Sequence, residues 1–520
     1  MMELKSYVGG KWVAGTGKHA ALVNPATEEE IARASTEGVD MKAALSFARD
    51  VGGKSLRAMT FRQRGEMLRA MSKAIHAKRD ELIGLAVQNG GNTRSDGKFD
   101  IDGAWGTLAA YADLAAELPD GHVLPDGDGV QLGRSPRLWG DHVFLPRVGA
   151  AVHVNAFNFP AWGLAEKAAT ALLAGMPVVS KPATSTGLVA HRIVELLVES
   201  GAMPEGALSF LCAGAGDLLD HVGGQDVLAF TGGSSTGQLL RAGKGVIAHS
   251  VRVNVEADSL NAAVLGPDVE VGSDVWNLFL ADVARDVQQK TGQKCTAIRR
   301  VYAPKDRVAE VVDALKERLS AIKVGDPSHA DVTMGPVATA QQKRDVLAGI
   351  DKLASAGKVV FGTGADVTPI GGQKGKGFFV SPTLLVCEAP SAADAIHNHE
   401  VFGPVATVMP YDGTGARAAE LVSWGGGGLV SSVYSDDKEF LAQAVLGLAP
   451  FHGRVTIGSS KIAAQAVPPG TVMPQLIHGG PGRAGGGEEL GGRRGLAFYM
   501  QRVALQGDRA IVEALAGRRA

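Results

Sequence analysis

The chain is poor in cysteine and aromatic residues and has almost no charge imbalance. Of its 520 residues, only three are cysteines and 5% are aromatic. Three cysteines cannot form a disulfide framework in so long a chain, which predicts a reducing compartment and a cytoplasmic protein. Lysine and arginine number 52 against 54 aspartate and glutamate. The charge balance therefore favours neither nucleic acid nor an anionic membrane as a partner.

Long hydrophobic runs are also missing. We expect no signal peptide, because the N-terminus has no apolar segment. The most apolar long stretch, 161–179, contains Glu166, Lys167 and Pro177, which excludes a membrane span. What remains is ordinary globular composition, with 45% apolar residues and a length typical of two to four domains. The 69 glycines indicate many tight turns and backbone that approaches a ligand closely.

The order of apolar segments predicts an α/β fold. Residues 60–118 have helical spacing, and 119–150 are interpreted as a loop with an exposed hairpin. From residue 151, short apolar runs alternate with helix-length segments, which is typical of βαβ units and a parallel sheet. A second α/β region covers 261–460. The strands predicted in the first region are 151–154, 177–180, 208–212, 227–230 and 251–255, and the helices lie near 161–174, 186–200, 215–222 and 235–246.

Polar and glycine residues follow these predicted strands. Ligands bind beyond the carboxyl ends of the strands in a doubly wound sheet, so residues at these ends are expected to converge. An amide, a lysine, glycine-rich turns and a carboxylate stand there. The residues in question are Asn158, Lys181, the turn Gly232, Gly233 and Ser234, and Glu256.

Each of these residues also has a purely structural interpretation. Gly214 and Gly216 begin a G-x-G-x-x-G pattern, but Leu219 stands where its third glycine should be. The run from Gly232 to Gly237 has the spacing of a phosphate-binding loop, but Gln238 replaces the required lysine. A nucleoside triphosphatase is therefore not expected. Taken alone, Lys181 is more often a solvated charge, and Glu256 could pair with Arg252 on the preceding strand.

Of the three cysteines, Cys295 has the sequence surroundings that best suit a reactive thiol. It lies in a polar turn beside Lys294, where a thiolate could be stabilised, although a lone cysteine is more often a buried core residue. Cys212 and Cys387 lie in apolar runs and are predicted to be core. His397 and His399 resemble a metal cluster, but we found no supporting cysteines or histidines and predict no metal.

Taken together, these segments resemble the aldehyde dehydrogenase superfamily over nearly the whole chain. The matching segments follow one another in the family's order and rough spacing, which makes the resemblance specific. They are Val8-Gly9-Gly10-Lys11-Trp12, Asn24-Pro25-Ala26-Thr27, Asn158-Phe159-Pro160, Lys181-Pro182-Ala183, Phe230-Thr231-Gly232, Gly292-Gln293-Lys294-Cys295-Thr296, Gly325-Asp326-Pro327 with Met334-Gly335-Pro336-Val337, Pro382-Thr383-Leu384, and Glu400-Val401-Phe402-Gly403-Pro404-Val405.

The resemblance implies a role for each of these site residues. Cys295 would be the nucleophile and Glu256 the general base. Asn158, with the backbone N–H of Cys295, would form the oxyanion hole. A glutamate acts best as a base near neutral pH when burial raises its pKa. The implied cofactor residues are Lys181 at the adenosine ribose or its phosphate, Gly232, Gly233 and Ser234 near the adenosine and pyrophosphate, Glu400 at the nicotinamide ribose and Phe402 beside the nicotinamide.

The sequence departs from the family at positions that bear on the cofactor. Many NAD-preferring members carry a glutamate where this chain has Thr184. A carboxylate there would repel a 2′-phosphate, whereas a threonine next to Lys181 would accept it, so NADP is predicted to be preferred. A second departure follows Glu256, where this chain has Ala257, Asp258 and Ser259 and the family usually has Leu-Gly-Gly. The packing around Glu256 is therefore not predicted by the resemblance.

The glycine-rich segment 478–492 and the stretch after Cys295 resemble the ring-cleavage branch of this family. The implied substrate is an acyl-CoA semialdehyde, with 3,4-dehydroadipyl-CoA semialdehyde the nearest candidate. Alternatives are a general NADP-linked aliphatic aldehyde dehydrogenase, an oxepin-CoA-derived semialdehyde dehydrogenase and a CoA-acylating enzyme. A binding protein or a cysteine hydrolase on the same fold is less favoured. Arg299 and Arg300 could face coenzyme A, but pairing within the fold is the preferred interpretation.

The implied architecture is the aldehyde dehydrogenase fold. A Rossmann-like, parallel-sheet cofactor domain would comprise 1–128 and 151–257, and an α/β catalytic domain 258–465. A small β oligomerisation element would comprise 129–150 and 466–520. The resemblance further implies a homodimer, or a dimer of dimers.

Overall fold

The computed structural model describes residues 2–365 and 367–518. The strands, in chain order, are β1 Met2–Leu4, β2 Ser6–Val8, β3 Lys11–Val13, β4 Ala20–Val23, β5 Glu30–Ala34, β6 Leu124–Pro125, β7 Val130–Gln131, β8 Leu138–Pro146, β9 Ala151–Val154, β10 Val178–Lys181, β11 Leu208–Phe210, β12 Val227–Thr231, β13 Arg252–Glu256, β14 Asn261–Leu265, β15 Ile298–Pro304, β16 Lys358–Phe361, β17 Thr383–Val386, β18 Val405–Tyr411, β19 Gly428–Tyr434, β20 His452–Gly458, β21 Ile477–Gly480, β22 Gly487–Leu490 and β23 Met500–Asp508.

The helices between these strands cover most of the predicted helical segments. Those expected near 161–174 and 186–200 are confirmed, whereas 215–222 forms only a short 3-10 turn between flexible glycines, and 235–246 is divided at Gly243. The α-helices, in chain order, are α1 Met41–Phe47, α2 Gly53–Ala58, α3 Phe61–Ala77, α4 Arg79–Gly90, α5 Arg94–Glu117, α6 Trp162–Leu173, α7 Gly187–Glu199, α8 Ser234–Arg241, α9 Lys244–Ala248, α10 Asp274–Gln288, α11 Val308–Ser320, α12 Ala340–Ala354, α13 Ala395–Asn398, α14 Gly415–Ser423, α15 Lys438–Leu448, α16 Arg493–Tyr499 and α17 Arg509–Leu515.

The first large sheet has the order β13-β12-β9-β10-β11-β2-β3. Its first five strands are parallel, as the alternation of apolar runs and helical segments predicts. β9 and β12 are largely apolar and buried, as is typical of parallel strands inside a sheet that is covered on both faces, whereas the edge strand β13 alternates polar and apolar residues. The chain proceeds from β9 to β11 in one direction and then returns to place β12 and β13 on the other side of β9. This reversal creates a crevice at the carboxyl end of β9.

The second large sheet has the order β16-β17-β18-β15-β14-β19-β20. All its strands are parallel except the edge strand β16. Apolar side chains from the sheet pack into two buried clusters, one with α10 and α11 and the other with α12, α14 and α15. Together with the first sheet, this arrangement confirms the predicted α/β fold.

A third, antiparallel sheet joins distant parts of the chain. Its longest pairing matches β8 with the C-terminal strand β23 over nine residues, from Leu138↔Asp508 to Pro146↔Met500. Val143 and Phe144 are buried against the rest of the chain. The predicted exposed hairpin is present as β7 and β8, and its tip over 130–138 is exposed. The rest of β8 is less exposed than a free hairpin strand, because β23 pairs with it and one of its faces packs inward. No helix in residues 2–365 and 367–518 is both long and apolar enough to cross a membrane.

Candidate active site

The register of the first sheet aligns the carboxyl ends of its strands. Val154 of β9 pairs with Lys181 of β10 and Phe230 of β12, and Thr231 pairs with Glu256 of β13. The residues that follow these strands consequently border one cavity of about 470 Å³. The structure brings these predicted site residues together on its wall: Asn158, Lys181, Gly232, Gly233, Glu256, Cys295, Glu400 and Phe402.

Two predicted cofactor residues lie beside this cavity without lining it. Thr184 opens the 3-10 turn Thr184–Thr186 that precedes α7. Ser234 begins α8, and its N–H and hydroxyl donate to the carboxylate of Asp258 at 3.0 and 2.6 Å. Asp258 lines the cavity and satisfies an N–H at the start of α8. This contact could not be predicted from the family resemblance, since Asp258 stands where the family has glycine.

The cavity has the features that a dinucleotide requires. Gly233 has open space where a side chain would begin, and a Cβ on Gly232 would meet the ring of Phe230 at 2.6 Å. Within the described residues, the Lys181 ammonium has no hydrogen-bond or ion-pair partner, and burial lowers its pKa. An unpaired cation on the wall of a wide cavity fits an anionic group such as a phosphate.

The loop that carries Cys295 is held in a strained conformation. After α10 ends at Gln288, Lys290 and Thr291 adopt successive left-handed conformations with φ of 52° and 56°. Residues with a Cβ rarely do so, and such strain persists only when surrounding contacts enforce it. The Thr291 hydroxyl donates to the carbonyl of Gly335 at 2.8 Å, and Asn261 Nδ2 donates to the carbonyl of Cys295 at 2.8 Å. These bonds fix the position of the cysteine.

Lys294 does not stabilise a thiolate at Cys295, so that expectation is wrong. Its ammonium points into the protein, where it donates to Asp286 at 2.5 Å and to Gln289 at 2.8 Å. Lys294 and Asp286 are both buried, which makes the pair a structural element beneath the loop. Adjacent residues in an extended turn project in different directions, and sequence proximity to a cysteine therefore says little about side-chain contact.

The groups that do face Cys295 are a histidine and a carboxylate. His478 Nε2 lies 3.9 Å from Cys295 Sγ and 3.1 Å from Glu256 Oε1. Burial and the nearby Glu256 carboxylate raise the pKa of the Cys295 thiol. Burial also tends to raise the pKa of Glu256, but His478 and Lys167 outweigh it and bring that pKa to about 2. Burial alone would shift this pKa upward, the direction that suits a general base, and His478 is the main cause of the opposite shift.

Asn158 lies against the cysteine loop from the side of the first sheet. Its Nδ2 donates to the carbonyl of Gln293 at 3.0 Å. An amide nitrogen carries two hydrogens, so one donor remains beside Cys295. The Gln293 side chain in turn accepts from the N–H of Ala338 at 3.0 Å and donates to the carbonyl of Lys290 at 2.9 Å. These contacts hold Asn158 and Cys295 in a fixed relation.

A buried chain of polar groups continues from Glu256 into the protein. The Thr231 hydroxyl lies 3.3 Å from Glu256 Oε2 and accepts from Lys167 Nζ at 2.7 Å. Lys167 also pairs with Glu489 at 3.0 Å and with Glu166 at 3.3 Å. Burial raises the pKa of Glu166 to about 7, whereas Lys167, although buried, has its pKa raised by its carboxylate partners. Sequence reasoning placed neither Lys167 nor Glu489 in the site.

Arg299 and Arg300 pair within the fold, as the preferred interpretation of the sequence predicts. Arg299 donates to the carbonyls of Gly403 and Gly292, both at 2.8 Å, and lies 3.5 Å from Glu400. Arg300 donates to the carbonyls of Leu260 and Val422 at 2.7 and 2.9 Å. Both side chains are buried and neither offers a cation to a bound ligand. Arg299 instead fixes Glu400 next to the cysteine loop.

A second, much smaller cavity of about 40 Å³ lies on the other side of Cys295. Phe99, Phe159 and Trp162 form part of its wall, with ring centroids 5.2 to 5.9 Å apart in edge-to-face geometry. Val472 and His478 come from the C-terminal part of the chain. Sequence reasoning assigned none of these five residues a role in the site, although Phe159 belongs to the segment Asn158-Phe159-Pro160 and His478 begins the glycine-rich segment 478–492. Phe99, Trp162 and Val472 lie outside every matching segment and come from distant parts of the chain, so no sequence motif marks them.

Comparison with known proteins places the chain in a family. Residues 12–504 match the profile described as the Aldehyde dehydrogenase family. The 3,4-dehydroadipyl-CoA semialdehyde dehydrogenase of Aromatoleum evansii is 44% identical over 92% of this chain and 93% of its own. Geranial dehydrogenase of Castellaniella defragrans is 27% identical over 83% and 86%. A betaine aldehyde dehydrogenase structure from Staphylococcus aureus, described in complex with NAD⁺, covers 98% of both chains with a TM-score of 0.84 at 24% identity, which shows the shared fold.

Proposed function

The chain belongs to the aldehyde dehydrogenase family and is an aldehyde-oxidising enzyme, and from that premise we propose that it oxidises an acyl-CoA semialdehyde to the carboxylic acid with NADP. The first candidate substrate is 3,4-dehydroadipyl-CoA semialdehyde, the compound in the name of the Aromatoleum evansii relative. The observation that carries the proposal is the meeting at Cys295 of a wide cavity with Lys181 on its wall and a narrow cavity walled by aromatic rings.

The residues at this junction divide the chemistry among them. The thiolate of Cys295 adds to the aldehyde carbon, and Asn158 Nδ2 with the backbone N–H of Cys295 donates to the oxyanion that forms. When bound, the nicotinamide cofactor supplies the hydride acceptor. Glu256 then takes a proton from the water that hydrolyses the thioester on Cys295. Glu256 is buried, and a carboxylate oxygen of this residue lies within 4.8 Å of Cys295 Sγ.

The preference for NADP rests on Lys181 and Thr184. The Lys181 ammonium is on the cavity wall, and the described residues offer it no partner of opposite charge. Thr184 opens the turn that follows β10, close in sequence to Lys181, and it brings no negative charge to that edge. A 2′-phosphate placed there would gain a charge-assisted bond and meet no carboxylate from this position. Glu400, held by Arg299, and Phe402, packed on Phe157, would border the nicotinamide end.

The dimensions of the narrow cavity support a substrate whose bulk stays outside it. About 40 Å³ between aromatic rings is far too small for coenzyme A, so only the aldehyde end of such a substrate would enter it. A general NADP-linked aliphatic aldehyde dehydrogenase is the alternative, because apolar walls would also accept a plain aldehyde. A CoA-acylating enzyme is less favoured, since Glu256 is present to activate water.

The test compares the semialdehyde with and without its coenzyme A. We expect NADPH formation with a kcat/KM about tenfold or more higher for the thioester, since contacts remote from the reacting carbon contribute to transition-state binding. Cys295→Ala abolishes turnover, whereas Cys387→Ala, which alters a buried core thiol, retains it. Equal rates on both substrates would leave the general dehydrogenase. Acceleration by free coenzyme A, with Glu256→Gln still active, would indicate the acylating enzyme.

We also propose a homodimer in a reducing, cytoplasmic setting. The third sheet exposes Val130, Leu132 and Leu138, which are about half accessible and would be covered by a second copy. The three cysteines are all unpaired thiols. The mass of the full chain measured by light scattering tests the assembly, and a monomer across the working concentration range would contradict it.

A further inference from the structure

His478 occupies a position between the two acidic groups of the site. It is the second residue of β21, which pairs antiparallel with β22. Its Nε2 lies 3.9 Å from Cys295 Sγ, in a geometry that permits a hydrogen bond. The same nitrogen lies 3.1 Å from Glu256 Oε1, where the distance suits an ion pair but the oxygen receives no hydrogen bond. The side chain is almost completely buried. The sequence offered it only as the first residue of a glycine-rich segment.

The backbone around His478 leaves its imidazole little freedom. A Cβ on Gly479 would come within 2.0 Å of the carbonyl of Gly487, and one on Gly480 within 2.2 Å of the carbonyl of Gly428. Glycine is required at both positions because the strand lies directly on neighbouring backbone. The glycines of this segment therefore serve close packing that fixes the ring beside the thiol.

The site poses an electrostatic problem that an unassisted thiol cannot solve. Both the thiolate of Cys295 and the carboxylate of Glu256 are needed for the proposed chemistry, and the two groups share one buried space. Like charges at such a distance disfavour each other, and burial strengthens the effect. Lys294, the cation nearest in sequence, is engaged with Asp286. A cation between the two anions would resolve the conflict.

We propose that His478 is a further catalytic residue, which takes the thiol proton of Cys295 and then lies as an imidazolium between the thiolate and the Glu256 carboxylate. The S–H bond of Cys295 breaks, its electron pair stays on sulfur, and the proton forms a bond to Nε2. Net charge is conserved. Hydrolysis of the thioester later releases Cys295 as a thiolate again, so the proton need not return in each cycle. The inference rests on the proposed role of Cys295 as the nucleophile.

The other charged groups around His478 are consistent with this state. Burial tends to lower the pKa of His478, but Glu256 and Glu166 outweigh it and raise that pKa, with Arg454 opposing them. Lys167 lies on the far side of Glu256 and is shared with Glu489 and Glu166. Arg454 donates to the carbonyl of Thr471 at 2.9 Å and makes no ion pair within the described residues. His478 is thus the group in direct contact with both acids.

The experiment measures the reactivity of Cys295 instead of turnover. The rate of alkylation by iodoacetamide is followed against pH in the full-length enzyme, with the Cys295→Ala variant as background for the two buried thiols. In His478→Gln and His478→Phe, we expect the midpoint to rise by about one pH unit or more, so that alkylation at pH 7 slows about tenfold, because the thiolate loses its cation. His191→Gln, a buried histidine outside the site, should leave the profile unchanged.

A double variant distinguishes this role from mere support of the loop. In the His478→Gln background, Glu256→Gln should speed alkylation about threefold or more, because it removes the repulsion that His478 normally offsets. An unchanged profile in both His478 variants, or no gain in the double variant, would overturn the inference.

If the variants do not fold, the ionisation of Cys295 is measured in the unaltered enzyme by the ultraviolet absorbance of its thiolate. Thiolate that appears at or below pH of about 8.5 supports the role, and thiolate only above it overturns the role. Oxidation that survives in Cys295→Ala would instead refute the proposed function itself.

Discussion

The two cavities that meet at Cys295 are built by different means. The wide cavity of about 470 Å³ is bordered by strand ends and glycine turns, with Lys181, Gly232 and Gly233 on its wall. The narrow one of about 40 Å³ is bordered by side chains from α5 and α6 and from the C-terminal segment. The fold itself therefore supplies the first cavity, whereas individual side chains supply the second. A dinucleotide site follows from topology, and a substrate site depends on which residues occupy the helices and loops.

Apart from loss of Cys295 itself, the largest effect is expected at Asn158, which borders both cavities and contacts the cysteine loop. We predict that Asn158→Ala lowers kcat about 10²- to 10³-fold, since it removes one donor to the oxyanion, worth about 2.7–4 kcal/mol. KM for either substrate should change little, because the donor acts mainly in the transition state. Steady-state kinetics of NADPH formation measure this.

The matched control is Asn155→Ala. Asn155 also borders both cavities, but its Nδ2 donates to the Ser180 hydroxyl at 3.2 Å and away from the cysteine loop. We expect a kcat loss of less than about tenfold, in the range of a neutral hydrogen bond. Equal losses of kcat in the two variants would mean that Asn158 acts through packing, which would contradict its role as a donor to the oxyanion.

A smaller effect is expected at the wide cavity, where charge can separate the two forms of the cofactor. Thr184→Glu should lower kcat/KM for NADP about tenfold or more while leaving that for NAD within about threefold, because a carboxylate repels the 2′-phosphate. Thr184→Gln has nearly the same shape without the charge and should keep the original preference. Higher efficiency with NAD in the unaltered enzyme would refute the argument from Thr184 and Lys181.

The difference between the two cavities also explains which parts of the site could be predicted from the sequence. Lys181, Gly232 and Glu256 could be placed together because parallel strands end at one edge, and the register Val154↔Lys181 and Thr231↔Glu256 aligns them. The fold class followed from the order of apolar runs and helical segments. These features depend on local pattern and general topology, which a single sequence records.

Contacts between distant segments could not be predicted in this way. His478 reaches Cys295 across 183 positions of sequence, and no spacing rule links them. Lys294 shows the converse, since it is adjacent to Cys295 and turns away to Asp286. The pKa of Glu256 depends on His478 and Lys167, so its direction could not be inferred without their positions. Side-chain direction and tertiary contact account for these errors.

The smallest effect is expected at Asp258, whose carboxylate lies on the wall of the wide cavity that we assign to an anionic cofactor. Asp258 accepts from the N–H and hydroxyl of Ser234. Asp258→Asn keeps an acceptor but removes the charge, and a unit charge several ångströms from a phosphate in water costs about 0.5–1 kcal/mol. We therefore expect the Kd of both NADP and NAD to fall about two- to fivefold, with a gain that shrinks at high salt. Titration calorimetry measures this, and Asp268→Asn, whose carboxylate accepts from the Ser435 hydroxyl, serves as the control. An unchanged or weaker affinity would mean that Asp258 is needed to shape the turn at α8, and that even the cavity formed by topology depends on one side chain for its form.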